Sequence, residues 1–351
     1  MSETIDRILR RGCEQHRLSN SEIISLLSTR GQERQKLFEV ADRVRQQYLG
    51  DEVHLRGIIE FSNYCQQNCH YCGLRRDNQH LQRYRLQPDE IVEMAEKAGE
   101  LGYKTFVLQS GEDDYYDREK LAWIIKTIKN RVDTALTLCV GERDYQEYRL
   151  WREKGADRYL LRHETADPDL YNRLHPGMEL EPRINRLKWL KELGYQVGSG
   201  NLIGLPGQDL ESIARDILLF KELELEMVGL GPFIAHEHTP LTRQPDGSVE
   251  LTLKTIAITR LLLPLAHIPG TTALGTLDPA GRQKALKAGA NVVMPNVTAG
   301  KYRSLYELYP DKICIEEEAE NCRQCIGGII HSLGRTVAEG YGHSPRLDHA
   351  G

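Results

Sequence analysis

The sequence predicts a (β/α)8 barrel of the TIM type, and three observations carry that prediction. From residue 53 onward, short runs of β-forming residues alternate with amphipathic stretches of helical period. The runs are VHLRGIIEF (53–61), KTFVLQ (104–109), TALTLCV (134–140), DRYLLRHE (157–164), YQVGSGNLIG (195–204), MVGLGPF (227–233), IPGTTAL (268–274) and NVVMP (291–295), eight in all. Several helical stretches end in a glycine just before the next run, at Gly102, Gly155, Gly194 and Gly289, where a left-handed residue suits a helix C-terminus. Strand, helix, turn glycine and strand repeated eightfold is the arithmetic of a closed parallel barrel. A doubly wound open sheet is the other fold compatible with the alternation. At roughly 150 residues per domain, 351 residues also allow two domains, but one continuous pattern favours a single barrel with extensions.

The elements follow in order. Residues 1–50 read as helices: Ser19 to Glu22 forms a capping signal, and apolar residues recur at helical spacing from Gln32 to Tyr48. The barrel is expected over residues 51–300. Its helices start near Pro88, Asp117, Asp144, Pro182, Asp209, Thr252 and Pro279, residue types that suit helix N-termini. Residues 301–351 form a C-terminal extension with a helix from Arg323 to Leu333.

Side-chain direction then bears on function. His54, Arg56 and Glu60 share one face of the first strand, and Arg158, Arg162 and Glu164 share one face of the fourth. Pointed outward, they would be buried under helices at high cost. Pointed inward, they line a wide polar lumen.

Composition narrows the chemistry. With 46 basic and 51 acidic residues the net charge is −5, which argues against a nucleic-acid partner. No apolar run of about 18 residues suggests a membrane span, and the opening MSETIDRILRRG lacks the apolar core of a signal peptide, so a cytoplasmic location is expected. Eight cysteines in a reducing compartment more often bind metal or do redox chemistry than form disulfides. Cys13 and Cys139 stand alone and read as packing residues. The other six fall into two triplets, Cys65, Cys69, Cys72 and Cys314, Cys322, Cys325.

The first triplet, C-x3-C-x2-C, lies directly after the first strand, where barrel active sites are built. Three thiolates there can hold three irons of a [4Fe–4S] cluster and leave the fourth open. Structural zinc wants a fourth protein ligand, and although His70 is near, the spacing is atypical. A ferredoxin module wants four cysteines per cluster and no barrel.

This triplet, with Tyr71 before its last cysteine, resembles the signature of the radical S-adenosylmethionine (SAM) superfamily. Ser110, Gly111 and Glu112 after the second strand resemble the segment that holds the methionine amino group, and GNLIGLPGQ (200–208) resembles the adenine-supporting motif. The likeness extends from about residue 32 to about residue 335 through GDEVHLRGIIEFSNYCQQNCHYCGLRRDN, FVLQSGED, GADRYLLRHETADP, GLPGQ, VGLGPFIAH, TLTLKTIAITRLLLP, TTALGT and GANVVMPNVT. Together these segments resemble the HydE family, the radical SAM maturases of [FeFe]-hydrogenase.

The resemblance implies a concrete set of expectations. Cys65, Cys69 and Cys72 would bind the [4Fe–4S] cluster whose open iron chelates SAM. Tyr71, Ser110, Glu112, Arg162, Glu164, Arg183, Met294 and Tyr306 would contact SAM. Arg56, Thr137, Arg158, Thr271 and Thr272 are candidates for the substrate cavity. Simpler readings stand beside these: Arg183 as a solvated helix residue, Met294 as core, and the threonines as strand formers. Cys314, Cys322 and Cys325 resemble an accessory iron–sulfur site, [2Fe–2S] or [4Fe–4S], that varies within the family; a structural or adventitious metal site is the alternative. The implied reaction is reductive cleavage of SAM to a 5′-deoxyadenosyl radical. That radical would act on a cysteine-bound iron–carbonyl–cyanide precursor of the hydrogenase diiron subcluster, with HydG and HydF as functional partners and an external electron donor. No catalytic side chain is assigned. Biotin synthase would need further cysteines on the second, third and fifth strands, where only Cys139 occurs. A methylornithine synthase-like mutase, or a non-catalytic iron–sulfur carrier, are the remaining alternatives.

Overall fold

The computed structural model describes residues 2–317 and 319–346; residues 347–351 of the expected C-terminal extension lie outside them. Three helices lead in: α1 (Ser2–Gln15), α2 (Asn20–Leu27) and α3 (Gly31–Leu49). The predicted capping box is formed, with Ser19 Oγ accepting from the Glu22 amide at 3.3 Å and Glu22 Oε2 accepting from the Ser19 amide at 2.8 Å. These helices pack against the barrel's later helices rather than forming a separate layer.

The first predicted strand is split at Arg56 into β1 (Glu52–Leu55) and β2 (Gly57–Ser62). Strand and helix then alternate as α4 (Pro88–Glu100), β3 (Thr105–Ser110), α5 (Arg118–Arg131), β4 (Ala135–Cys139), α6 (Tyr145–Glu153), β5 (Arg158–Leu160), α7 (Pro168–Leu174), α8 (Leu180–Glu192), β6 (Gln196–Ile203), α9 (Leu210–Glu222), β7 (Met227–Pro232) and α10 (Val249–Leu262). Strands β2 to β7 form one parallel sheet in chain order. The helices α11 (Thr272–Leu277) and α12 (Gly281–Lys287), strand β8 (Val292–Val293), α13 (Gly300–Arg303), α14 (Ala319–Ser332) and β9 (Thr336–Val337) complete the chain. Bridges from Met227 to His267 and from Pro269 to Val292, then β8 pairing with β1, close the ring. Asp117, Asp144 and Asp209 cap their helices as expected. The four turn glycines adopt positive φ, from +78° at Gly194 to +108° at Gly155.

Three local expectations are corrected. Residues 268–274 do not form a strand: they contribute bridges only, and Thr271 instead caps α11 with its hydroxyl. Pro269 has no amide to give a ladder, and Thr is a strong N-cap residue. The fourth run yields only three strand residues, Arg158–Leu160, after which the chain rejoins β6 through a single bridge from Glu164, at φ +63°, to Asn201. An unpredicted strand, β9, pairs with the start of β1 through Glu52–Thr336 and Val53–Val337.

The C-terminal segment also closes the floor of the barrel. Arg158 is fully buried, and its Nη2 donates to the carbonyls of Tyr341 at 2.7 Å and Gly342 at 2.8 Å. Gln196 Oε1 accepts from the Ser344 amide at 2.7 Å. His54 sits at the same level, edge-on to His267 with ring centroids 4.9 Å apart.

Candidate active site

A cavity of about 350 Å³ occupies the barrel above that floor. Its walls carry Arg56, Glu60, Arg162 and Glu164, the inward charges expected from strand alternation. Arg158 is not among the lining residues, nor is His54. The expected polar lumen is also corrected in part: Ile58, Val107, Leu160, Met227, Val228 and Phe233 form apolar stretches of wall between the charges.

Cys65, Cys69 and Cys72 all line this cavity, on the loop that joins β2 to α4. The loop is held by side chains that bond to main-chain groups. Asn63 Nδ2 donates to the carbonyls of Gln82 and Leu305, each at 2.8 Å, and its Oδ1 accepts from the Tyr84 amide at 2.7 Å. Arg83 donates to the carbonyls of Asn63 at 2.5 Å, Leu74 at 3.0 Å and Arg75 at 2.7 Å. Gly111 must be glycine, since a Cβ there would lie 2.1 Å from the Tyr64 carbonyl oxygen. Burial pushes the thiols of all three cysteines up, that of Cys72 to about 12. Three adjacent half-buried thiolates need a cationic partner, and the irons of a cluster would supply one. The donor set fits a cluster held by three protein ligands.

The predicted SAM contacts gather around the triplet. The Tyr71 hydroxyl donates to His175 Nε2 at 2.8 Å, because His175 Nδ1 is engaged with the Tyr171 carbonyl at 2.8 Å. Ser110 Oγ bonds the neighbouring Gly111 carbonyl at 2.7 Å. Glu112 accepts from Gln67 Nε2 at 2.5 Å and from the Glu142 amide at 2.9 Å. Arg183 is buried rather than solvated, 3.0 Å from Glu142 and 3.7 Å from Glu112. Burial opposes its charge, but Tyr171, Glu112 and Glu142 outweigh that and hold its pKa up. Arg162 pairs with Glu164 at 3.0 Å and donates to the Asn201 carbonyl at 2.7 Å. Burial raises the Glu164 carboxyl, against the pull of Arg162 and Arg183. Met294 and Tyr306 reach the same cavity, where Gln109 donates to the Tyr306 hydroxyl at 3.4 Å.

Of the substrate candidates, Arg56, Thr137, Thr271 and Thr272 line the cavity. Arg56 donates to Met227 Sδ at 2.9 Å and to the Gly342 carbonyl at 3.3 Å, so it spans wall and floor. The second triplet is brought together only in part. Cys314 and Cys322 lie with Glu317 so that their ligand atoms are within 4.8 Å of one another, while Cys325 is outside this set and exposed. Sequence reasoning missed Lys312, which reaches into the cavity to pair with Glu60, and Glu142, which fixes Arg183. Lys312 sits in an irregular segment with no periodicity to betray it. Glu142 follows Gly141, whose φ is +76° and whose missing Cβ leaves room for Glu112.

Comparison with known proteins agrees with this geometry. Residues 59–220 match the family model of the radical SAM superfamily. The chain is 52% identical, over 89% of each chain, to the [FeFe] hydrogenase maturase subunit HydE of Thermotoga maritima. It is 35% identical to 3-methylornithine synthase of Methanosarcina acetivorans over 83% of each chain. The crystal structure of methylornithine synthase (PylB) superposes with a TM-score of 0.84 at 28% identity, covering 94% of this chain and 97% of the other. The barrel, the cysteine loop and these similarities converge: the chain is a radical SAM enzyme and belongs to the HydE family of [FeFe] hydrogenase maturases.

Proposed function

We propose that the chain uses SAM bound at the first cysteine triplet to transform an iron–carbonyl–cyanide–cysteine precursor during assembly of the hydrogenase diiron subcluster. Membership of the superfamily implies a [4Fe–4S] cluster and SAM. When bound, they supply one-electron cleavage of SAM to a 5′-deoxyadenosyl radical. In this reading Cys65, Cys69 and Cys72 hold the cluster. Ser110 and Glu112 orient the methionine end, while Arg162, Glu164 and Arg183 hold the carboxylate and ribose. Tyr71, Met294 and Tyr306 pack beside them. The single observation that carries the proposal is the convergence of the three cysteines, the Arg162–Glu164 pair and the Arg183–Glu112 pair on one cavity.

The substrate would sit deeper, against Arg56, Thr137, Thr271 and Thr272. An anionic complex is attracted to a guanidinium in a poorly screened cavity. Cys314 and Cys322, with Glu317 or Cys325, would hold a second iron–sulfur centre. Residues 1–50, 51–300 and 301–351 serve as helical lead-in, barrel and accessory extension. HydG, HydF and an electron donor would be functional partners, in the reducing cytoplasm that free cysteines favour. The likeness to methylornithine synthase supports a second reading, a SAM-dependent mutase.

Reconstituted hydrogenase maturation, run with and without the chain, tests the choice. The proposal expects active hydrogenase only when the chain is present, and impaired maturation with Arg56→Ala. Maturation that is independent of the chain, together with formation of 3-methylornithine, would establish the mutase instead.

A further inference from the structure

Behind the Arg162–Glu164 pair lies a buried carboxyl that the proposed chemistry does not use. Asp216, on α9, is fully buried. Its Oδ2 accepts from Asn201 Nδ2 at 2.5 Å, and its Oδ1 accepts from the Ala166 amide at 2.5 Å. No Lys or Arg pairs with it among the described residues. The nearest ionisable partner is His163, whose Nε2 lies 3.9 Å away and whose ring is kept neutral by burial, at about 3.

These two donors belong to the two segments that carry the pair. Asn201 is on β6, and its backbone carbonyl is the acceptor for Arg162. Ala166 follows Glu164 in the turn that leaves β5. Glu164 itself takes φ +63°, a strained conformation for a residue with a side chain. It is locked against β6 by its amide to the Gly200 carbonyl at 3.0 Å and by the Leu202 amide to its own carbonyl at 3.3 Å. One carboxyl therefore ties the turn after Glu164 to the strand that orients Arg162.

We infer that Asp216 is a positioning residue for SAM, acting through Asn201 and the strained turn to hold Arg162 and Glu164 in register on the cavity wall. The inference rests on the reading that Arg162 and Glu164 contact SAM. A residue that served only the core would affect how much protein folds, not how tightly the folded protein binds.

The test exploits the direction of the two hydrogen bonds. In the D216N variant, one donor must face an amide NH2 instead of an oxygen. In the N201D/D216N double variant, the amide at position 216 donates to the new carboxyl and still accepts from Ala166, so both bonds are restored. SAM affinity is measured by equilibrium dialysis on cluster-loaded protein, with thermal midpoints recorded alongside. A buried donor left without its acceptor predicts a dissociation constant raised about tenfold in D216N, and return to within about twofold of the original in the double variant. Should D216N not fold, N201S, which also deletes the Asn201–Asp216 bond, carries the same expectation. Unchanged affinity in the single variant, or weakened affinity that the double variant does not restore, overturns the inference. R162A separates the two claims. If it binds SAM normally, the underlying assignment of Arg162 fails; if it weakens binding while D216N does not, only the positioning role of Asp216 fails.

Discussion

The two cysteine triplets differ in how the fold prepares them. The first sits on a loop whose carbonyls and amides are held by Asn63 and Arg83, and all three of its sulfurs face one cavity. The second is divided between an irregular segment, which carries Cys314, and α14, which carries Cys322 and Cys325. It gathers Cys314, at φ +63°, with Cys322 at the start of α14, and leaves Cys325 exposed on the helix. Similar counts of cysteines thus mark one site pre-organised by strand ends and one assembled from a tail. The difference teaches that spacing alone locates thiols, whereas the hydrogen bonds behind a loop decide whether they converge.

The largest expected effect breaks the first site's surroundings. Arg183→Ala leaves the buried Glu112 without its cation, while the half-buried Glu142 keeps Arg186 at 3.2 Å. Breaking a buried pair costs about 3–5 kcal/mol, so urea unfolding should show a stability loss of that order, and SAM binding should be lost as well. Preserved stability and binding would mean that Arg183 is incidental to the site.

A pH series sharpens the same side of the comparison. Burial pushes the Asp216 carboxyl from its ordinary 3.8 up to about 7, against the hydrogen bonds from Asn201 and Ala166 and the pull of Arg215, and with Glu164 adding to the rise. Between about pH 4 and pH 7 the folded chain therefore keeps a proton that the unfolded chain releases. This group's contribution to stability then falls as pH rises through that window and levels off above it. Because D216N cannot titrate there, the stability of the unaltered chain minus that of D216N should decline from pH 4 to pH 7. A flat difference in urea midpoints would contradict the assignment.

Smaller effects belong to the second triplet. Arg282 donates to Cys314 Sγ at 3.6 Å and to Thr272 Oγ1 at 3.2 Å, tying the tail to the cavity wall. Arg282→Ala should lower iron retained at the second site while SAM cleavage stays within about twofold. Cys325→Ala should change least: if Glu317 completes the set, iron content measured after reconstitution stays near that of the unaltered chain, whereas a clear loss would make Cys325 the third ligand.

How much of this was legible in the sequence follows from where each residue sits. Strand alternation placed Arg56, Glu60, Arg162 and Glu164 inward, and helix caps at Asp117, Asp144 and Asp209 were readable because capping is local. Arg158 was misplaced because strand parity fixes a face but not a height. It points inward, yet at the floor, where the carbonyls of residues 341 and 342 meet it. That contact joins residues far apart in the chain and has no local signature. The seventh strand was overcalled for a related reason: IPGTTAL has β-type composition, but a proline without an amide and a threonine at an N-cap decided the backbone. Lys312, Glu142 and Asp216 act through tertiary contacts, and no spacing rule points to them.

The most direct test compares the two triplets in one assay. Unaltered chain, Cys69→Ala and Cys322→Ala are reconstituted anaerobically with iron and sulfide, given SAM and a chemical reductant, and assayed for 5′-deoxyadenosine. The account predicts cleavage by the unaltered chain and by Cys322→Ala at similar rates, and none above background by Cys69→Ala. Cleavage that survives Cys69→Ala, or that disappears with Cys322→Ala, would contradict the assignment of the reaction centre to the first triplet.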